Sequence, residues 1–286
     1  MRILGVDFTS APSRAKPIVV ATGSLGRATL AIECVERIDD FAGFERRLAS
    51  PGPWVGGFDF PFGLPRELVE ALGWPTDWAA LVRHYAALSR DDIAAAFDAF
   101  RAARAVGRKY AHRAGDAAAG SHSPMKLVNP PVAWMLHEGS PRLLAAGVHL
   151  PAVHDGDRSR VALEAYPGLA MRRVALHRGL ARAPSYKNDA PGMQTEARRQ
   201  ARVLLLEGLL RGDPAGGVPT TLAPGVGDAA IDDGSGDTID AIAAAVQAAW
   251  GAMRADRNYG LPDAADRLEG WIVTAGAAND GDGRLR

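Results

Sequence analysis

Two short phrases, Gly5-Val6-Asp7-Phe8 and Gly57-Phe58-Asp59-Phe60, each set an aspartate into a run that otherwise reads as buried β-strand. An ionised carboxylate is prohibitively costly away from water unless it is paired, hydrogen-bonded or bound to a cation. The two positions therefore imply either a shared cation site or two separate polar networks, and the first alternative predicts divalent-metal chemistry. Three further acids stand where they could join it. Glu164 lies near the end of a strand, where its other role is a favourable charge beside the following helix N-terminus, worth about 0.3–1 kcal/mol. Asp237 and Asp240 are three apart at the start of a helix and so share one face. As an N-cap and a partner of the helix dipole they would need no chemistry at all.

The elements that must position these acids can be read from periodicity. Arg2 to Phe8, Lys16 to Gly23 and Arg27 to Ile38 read as three strands, and their short connections predict antiparallel neighbours. Cys34 falls in the alternating run of the third, where a small buried hydrophobe is expected. Asp39-Asp40 then precedes Phe41, Phe44 and Leu48, the spacing of an amphipathic helix with an acidic cap. Trp54 to Phe60 follows as a buried strand, and the intervening helix permits a right-handed crossover that sets it parallel to the first. On that topology Asp7 and Asp59 can meet.

From Pro65 to about Gly107 the pattern is helical. Arg108 to Pro131 reads as a long basic loop, collecting Arg108, Lys109, His112, Arg113, His122 and Lys126; it is either a solvated connection or a substrate grip. Val132 to Ala146 suits a helix, Arg160 to Tyr166 a strand, and Pro167 opens another helix. Met193 to Leu210 reads as a long helix, followed by a glycine- and proline-rich linker to Gly227. Ala241 to Trp250, apolar on most sides, is expected to pack against the sheet. Gly276 to Arg286 is expected to be a frayed tail.

Composition narrows the function. The 286 residues are 47% hydrophobic, with 33 basic and 33 acidic side chains, so there is ample core and no basic surplus to hold a polyanion non-specifically. One cysteine excludes an intrachain disulfide and a cysteine-rich zinc site. The stretch Met1 to Asp7 is too short for a secretory segment and Ile239 to Met253 too short and too interrupted to span a bilayer, so the reading is cytoplasmic with no membrane partner. His84, His112, His122, His137, His149, His154 and His177 show no metal-ligand spacing; His122, in the basic loop, is the outlier.

In order, the chain places an acid on strand one, three antiparallel strands, a helix, an acid on strand four, and two acids entering a late helix. That order resembles the ribonuclease H-like superfamily. More narrowly, Gly5-Val6-Asp7-Phe8, Phe58-Asp59-Phe60-Pro61-Phe62-Gly63-Leu64-Pro65, Glu164-Ala165-Tyr166-Pro167, Tyr186-Lys187 and Asp237-Thr238-Ile239-Asp240-Ala241 are similar to the DUF429 family of predicted nucleases, nearly along the whole chain. The resemblance implies one α/β domain over residues 1–275, with a five-stranded mixed sheet flanked by helices and residues 65–146 as a helical insertion after strand four.

It also implies a magnesium or manganese centre for phosphodiester hydrolysis. Asp7 would bridge two metals roughly 3.5–4 Å apart, Asp59 and Asp240 would each hold a side, and Asp237 would ligate directly or through water. Glu164 would complete the set. Lys187 would contact phosphate, its other reading being an ordinary surface lysine, and Tyr186 reads as packing. Nucleic acid or a smaller nucleotide would be the substrate. Two alternatives remain. An actin-like phosphotransferase would bind a magnesium nucleotide on a related sheet, although Asp7-Phe8-Thr9-Ser10 lacks the glycine that lets backbone approach phosphate. A non-catalytic binding module would use the acids only as caps and network residues. Oligomeric state is not legible.

Overall fold

Residues 1–212 and 217–276 are described in the computed structural model. The expected tail lies, from 277 onward, outside the described residues, as do 213–216 of the glycine- and proline-rich stretch.

The chain opens with β1 (Arg2–Asp7), β2 (Ile18–Leu25) and β3 (Leu30–Ile38), then α1 (Phe41–Leu48) and β4 (Trp54–Phe58). Helix α1 starts where the Asp40 carboxylate accepts from the Gly43 amide at 2.6 Å, the acidic cap the sequence calls for. Next come α2 (Arg66–Ala71), α3 (Trp78–Ala87), α4 (Arg90–Ala102), α5 (Ala114–Ala119) and α6 (Val132–Ala146). Two parallel strands, the two-residue β5 (Val148–His149) and the eight-residue β6 (Asp157–Glu164), lead to α7 (Pro167–His177), with proline at its first turn. Helix α8 (Glu196–Arg211), β7 (Thr220–Leu222), α9 (Val226–Asp232) and α10 (Asp237–Ala252) complete the order.

The result is an α/β architecture: one mixed seven-stranded sheet, in the order β5-β6-β4-β1-β2-β3-β7, flanked by helices. Antiparallel pairing joins β1 to β2 and β2 to β3, and β4 runs parallel to β1, as expected. Seven strands appear rather than five because two- and three-residue strands, β5 and β7, pair at the edges. Segments that short carry no measurable alternation, and β7 with the first two residues of α9 falls in what reads as linker.

Cys34 is exposed rather than buried. A bulge shifts the β2–β3 register between Thr22 and Gly23, so that Gly23 faces Ile32 while Thr22 faces Cys34. The extra residue inverts the alternation. Leu30, Ile32 and Val35 face one core, and Cys34 moves to the face of Ile38.

Alternation along β1 sends Ile3 to one side of the sheet and Leu4 and Val6 to the other. The first side is covered by α10, all sixteen of whose residues are buried, with α7, α8 and α9 around it. The second packs on α1, α3 and α6 through Phe44, Leu48, Trp78, Val82 and Leu143. Residues of the expected insertion build a core of their own from Leu68, Tyr85, Ile93, Phe97, Phe100 and Leu136. Among the described residues no helix is long and apolar enough to cross a membrane.

Candidate active site

Two glycines fix where the aspartates stand. Gly5 and Gly57 are register partners on β1 and β4, and both face α10. A Cβ on Gly5 would lie 2.0 Å from the Ala241 carbonyl oxygen and 2.2 Å from the Ala245 nitrogen; one on Gly57 would lie 2.3 Å from the Ala244 oxygen. Only glycine lets the helix backbone sit this close to the sheet. Two residues along a strand advance about 6.6 Å on the same face. Four residues back along a helix retreat about 6 Å. From Gly5 under Ala241 the chain therefore reaches Asp7 near Asp237, and from Gly57 under Ala244 it reaches Asp59 near Asp240.

The electrostatics follow that pairing. Burial, then the charge of Asp237, then that of Asp240, push the Asp7 carboxyl well above the ordinary range, with Asp59 contributing further. Burial and then Asp240 push Asp59 up to about 7. Asp7, Asp237 and Asp240 are buried. Asp7, Asp59 and Asp237 border a cavity of about 430 Å³, and Asp59 and Asp240 border an adjoining one of about 340 Å³. The four acids thus act on one another across the C-terminal ends of two parallel strands and the first turn of one helix. Asp237 is the first residue of α10 and Gly236, in a left-handed conformation, is its cap, so the N-cap role does not fall to the aspartate.

Two lysines answer these acids. Lys187 donates to Asp240 Oδ2, and the Tyr186 hydroxyl donates to Asp240 Oδ1 at 2.7 Å. Burial works against the Lys187 ammonium, but Asp240, Tyr186 and Asp7 outweigh it and raise its pKa. Lys16, a residue the sequence gives no reason to single out, donates to Asp237 Oδ1 at 2.9 Å and to Asp189 at 3.0 Å. Tyr186, expected to be packing, is therefore part of the polar centre. Lys187, half exposed, stands against the acids and borders both cavities.

Glu164 belongs to a different network. Its carboxylate accepts from Arg113 Nη2 at 2.6 Å, from Arg113 Nη1 at 2.8 Å and from the Phe62 amide at 3.0 Å. The same guanidinium donates to Asp116 at 2.7 Å and to the Glu269 carbonyl at 2.9 Å. Arg113 comes from the stretch expected to be a basic loop, yet it is 2% exposed. Its burial is sustained by two carboxylates, each held in bidentate geometry, and by the Glu269 carbonyl, which together take up its donors. Glu164 borders the cavity of about 340 Å³ beside Asp59 and Asp240, and its charge helps raise Asp59, but its carboxylate oxygens are taken by Arg113 and the Phe62 amide.

The donor set suits a hard divalent cation in kind: four carboxylates, of which Asp237 Oδ2 is buried with no hydrogen-bond partner. As placed, however, no three His, Cys, Asp or Glu side chains among the described residues stand close enough to hold a metal ion. The ammonium groups of Lys16 and Lys187 occupy oxygens that a cation would need.

The raised pKa of Asp59 sets a pH dependence. A fold that favours the neutral carboxyl gains stability that is complete below the ordinary value of 3.8 and is lost as pH rises through about 7. In chelator, the melting temperature should fall between about pH 5 and about pH 8, and Asp59→Asn should flatten that part of the profile. A wild-type profile already flat over this interval contradicts the assignment.

Comparison of the chain with family models, with curated proteins and with solved structures found no match.

Proposed function

We propose that the protein is a metal-dependent phosphodiester hydrolase, a nuclease of the ribonuclease H-like kind and similar to the DUF429 family, using magnesium or manganese held by Asp7, Asp59, Asp237 and Asp240. The observation that carries this reading is the joint placement of the four acids: two at the ends of neighbouring parallel strands and two on the helix lying across them, with Asp237, Asp240 and Asp59 raising the pKa of Asp7 and Asp240 raising that of Asp59. The sheet supports it as well. Without its short edges the strand order is β6-β4-β1-β2-β3, an antiparallel three-strand unit followed through a helix by parallel strands, which is the order of elements the resemblance implies.

When bound, such an ion supplies Lewis-acid stabilisation of a phosphoryl oxygen and a water of lowered pKa. The chain's own residues do the rest. Asp7 and Asp59 offer carboxylates anchored at strand ends, and Asp240 is oriented by the Tyr186 hydroxyl. Lys16 and Lys187 hold the acids together by neutralising them. Lys187 stands at the junction of the two cavities, where its charge, if released from Asp240, would meet the non-bridging oxygens of a phosphodiester.

The two ammonium groups also favour a second reading, a non-catalytic binding module in which lysines are the permanent counter-ions of the acids. Hydrolysis of single-stranded, duplex and branched nucleic acids separates the two. Cleavage in manganese or magnesium that chelator abolishes is expected; binding without metal-dependent cleavage of any of them would favour the module.

A further inference from the structure

The cavity of about 340 Å³ reaches from Asp59, Lys187 and Asp240 to a wall of a different kind, built by Tyr166, Pro130, Val132 and Met135. Its size is at the low end for small-molecule sites, enough for one nucleoside and too small for a base pair. Tyr166 is held from behind. Its ring lies against Gly168, where an added Cβ would come within 2.8 Å of it, and the Arg172 guanidinium stands 5.2 Å from the ring centroid and donates to its hydroxyl at 3.3 Å. Its amide is fixed by Gln247 Oε1 at 3.0 Å. A restrained aromatic ring on the wall of an apolar slot is a stacking platform for a nucleobase, since every base has a π-face.

Charge around the slot points the same way. His122 lines it, and Lys126, His112 and Arg172 act on His122, so basic groups stand at that end of the slot, beside the Arg113–Asp116–Glu164 network that also borders it. The molecule as a whole has no basic surplus to grip a duplex backbone.

We propose that this slot takes one unpaired nucleobase, stacked on Tyr166, and that the ligand of the acidic centre is therefore a single-stranded nucleic acid, with one phosphate at the Lys187 ammonium, beside Asp59 and Asp240, and the next toward His122. The identity of the ligand rests on the phosphodiesterase reading above. The slot itself does not depend on turnover.

The test is equilibrium binding in chelator of a fluorescein-labelled thymidine hexanucleotide, the same strand carrying abasic residues, and the matching blunt duplex. Wild type should bind the base-bearing strand about tenfold or more tightly than either of the others. Tyr166→Ala should erase that preference and Tyr166→Phe should keep it. Val132→Trp, which fills the slot from α6, should erase it without touching Tyr166. Equal binding of base-bearing and abasic strands by wild type overturns the inference, as does a preference that survives both Tyr166→Ala and Val132→Trp. If the preference follows these variants but no strand is cleaved in manganese or magnesium, the hydrolytic reading fails and the slot stands.

Discussion

Asp240→Asn should lower metal-dependent cleavage by about three orders of magnitude, because a ligating carboxylate contributes several kcal/mol of transition-state stabilisation and each 1.36 kcal/mol is tenfold. The amide keeps the shape of the side chain and can still accept from Tyr186, so the fully buried first turn of α10 retains its packing. Lys187 loses its charged partner, but it is half exposed and can turn to water. Asp7→Asn should behave alike, since removing one of four mutually repelling acids relieves strain in the metal-free fold while depriving the ion of a ligand. The expected signature is lost turnover with an unchanged or raised melting temperature in chelator. Activity within threefold of wild type in both variants would remove these acids from the mechanism.

Arg113→Met should have the opposite profile, a large loss of stability. Breaking a buried ion pair by deleting one partner costs about 3–5 kcal/mol, because the other charge is left buried and uncompensated. Here two carboxylates, Glu164 and Asp116, would be orphaned at once. In a chain of this size that corresponds to a drop of about 10 °C in melting temperature. Adding Glu164→Gln should recover part of the loss, a coupling that a double-mutant cycle reads directly. A loss below about 1 kcal/mol would mean that the guanidinium does not tie α5 to the end of β6 as its hydrogen bonds indicate.

The two variants separate two polar systems that look alike in the sequence. Asp7, Asp59 and Glu164 all appear as acids at buried strand ends, yet both oxygens of Glu164 are held by the one guanidinium of Arg113 while Asp7 and Asp59 face other acids. Nothing local distinguishes them, because the partner of Glu164 is 51 residues away in a stretch whose composition reads as solvated loop. An arginine enters a core only when distant carboxylates meet it, and that meeting is a property of the tertiary fold.

What was legible rested on short-range pattern. The β1–β2–β3 meander, the acidic cap of α1, the parallel return of β4 and the span of α6 follow from alternation, connection length and capping chemistry. The edge strands β5 and β7 escaped because two or three residues cannot show a period, and α9 because its seven residues, two turns with only Val226 and Ala230 buried, begin inside a glycine- and proline-rich stretch. The bulge that exposes Cys34 leaves no mark in composition. In the site, the acids were visible and their counter-ions only in part. Lys187 stood in a recognisable phrase, whereas Lys16 precedes β2 as an ordinary surface lysine would. The overlooked signal lies in the repeated phrase itself: Gly-x-Asp occurs twice, and each glycine is the close-approach point that lowers α10 onto the sheet two residues before its aspartate.

The most direct measurement is anomalous diffraction at the manganese edge from crystals soaked in that ion. The account expects a peak bordered by Asp7, Asp59 and at least one of Asp237 and Asp240, with the Lys187 ammonium displaced from Asp240. Saturating manganese that leaves Lys16 on Asp237 and Lys187 on Asp240, with no ion among the four carboxylates, would contradict it.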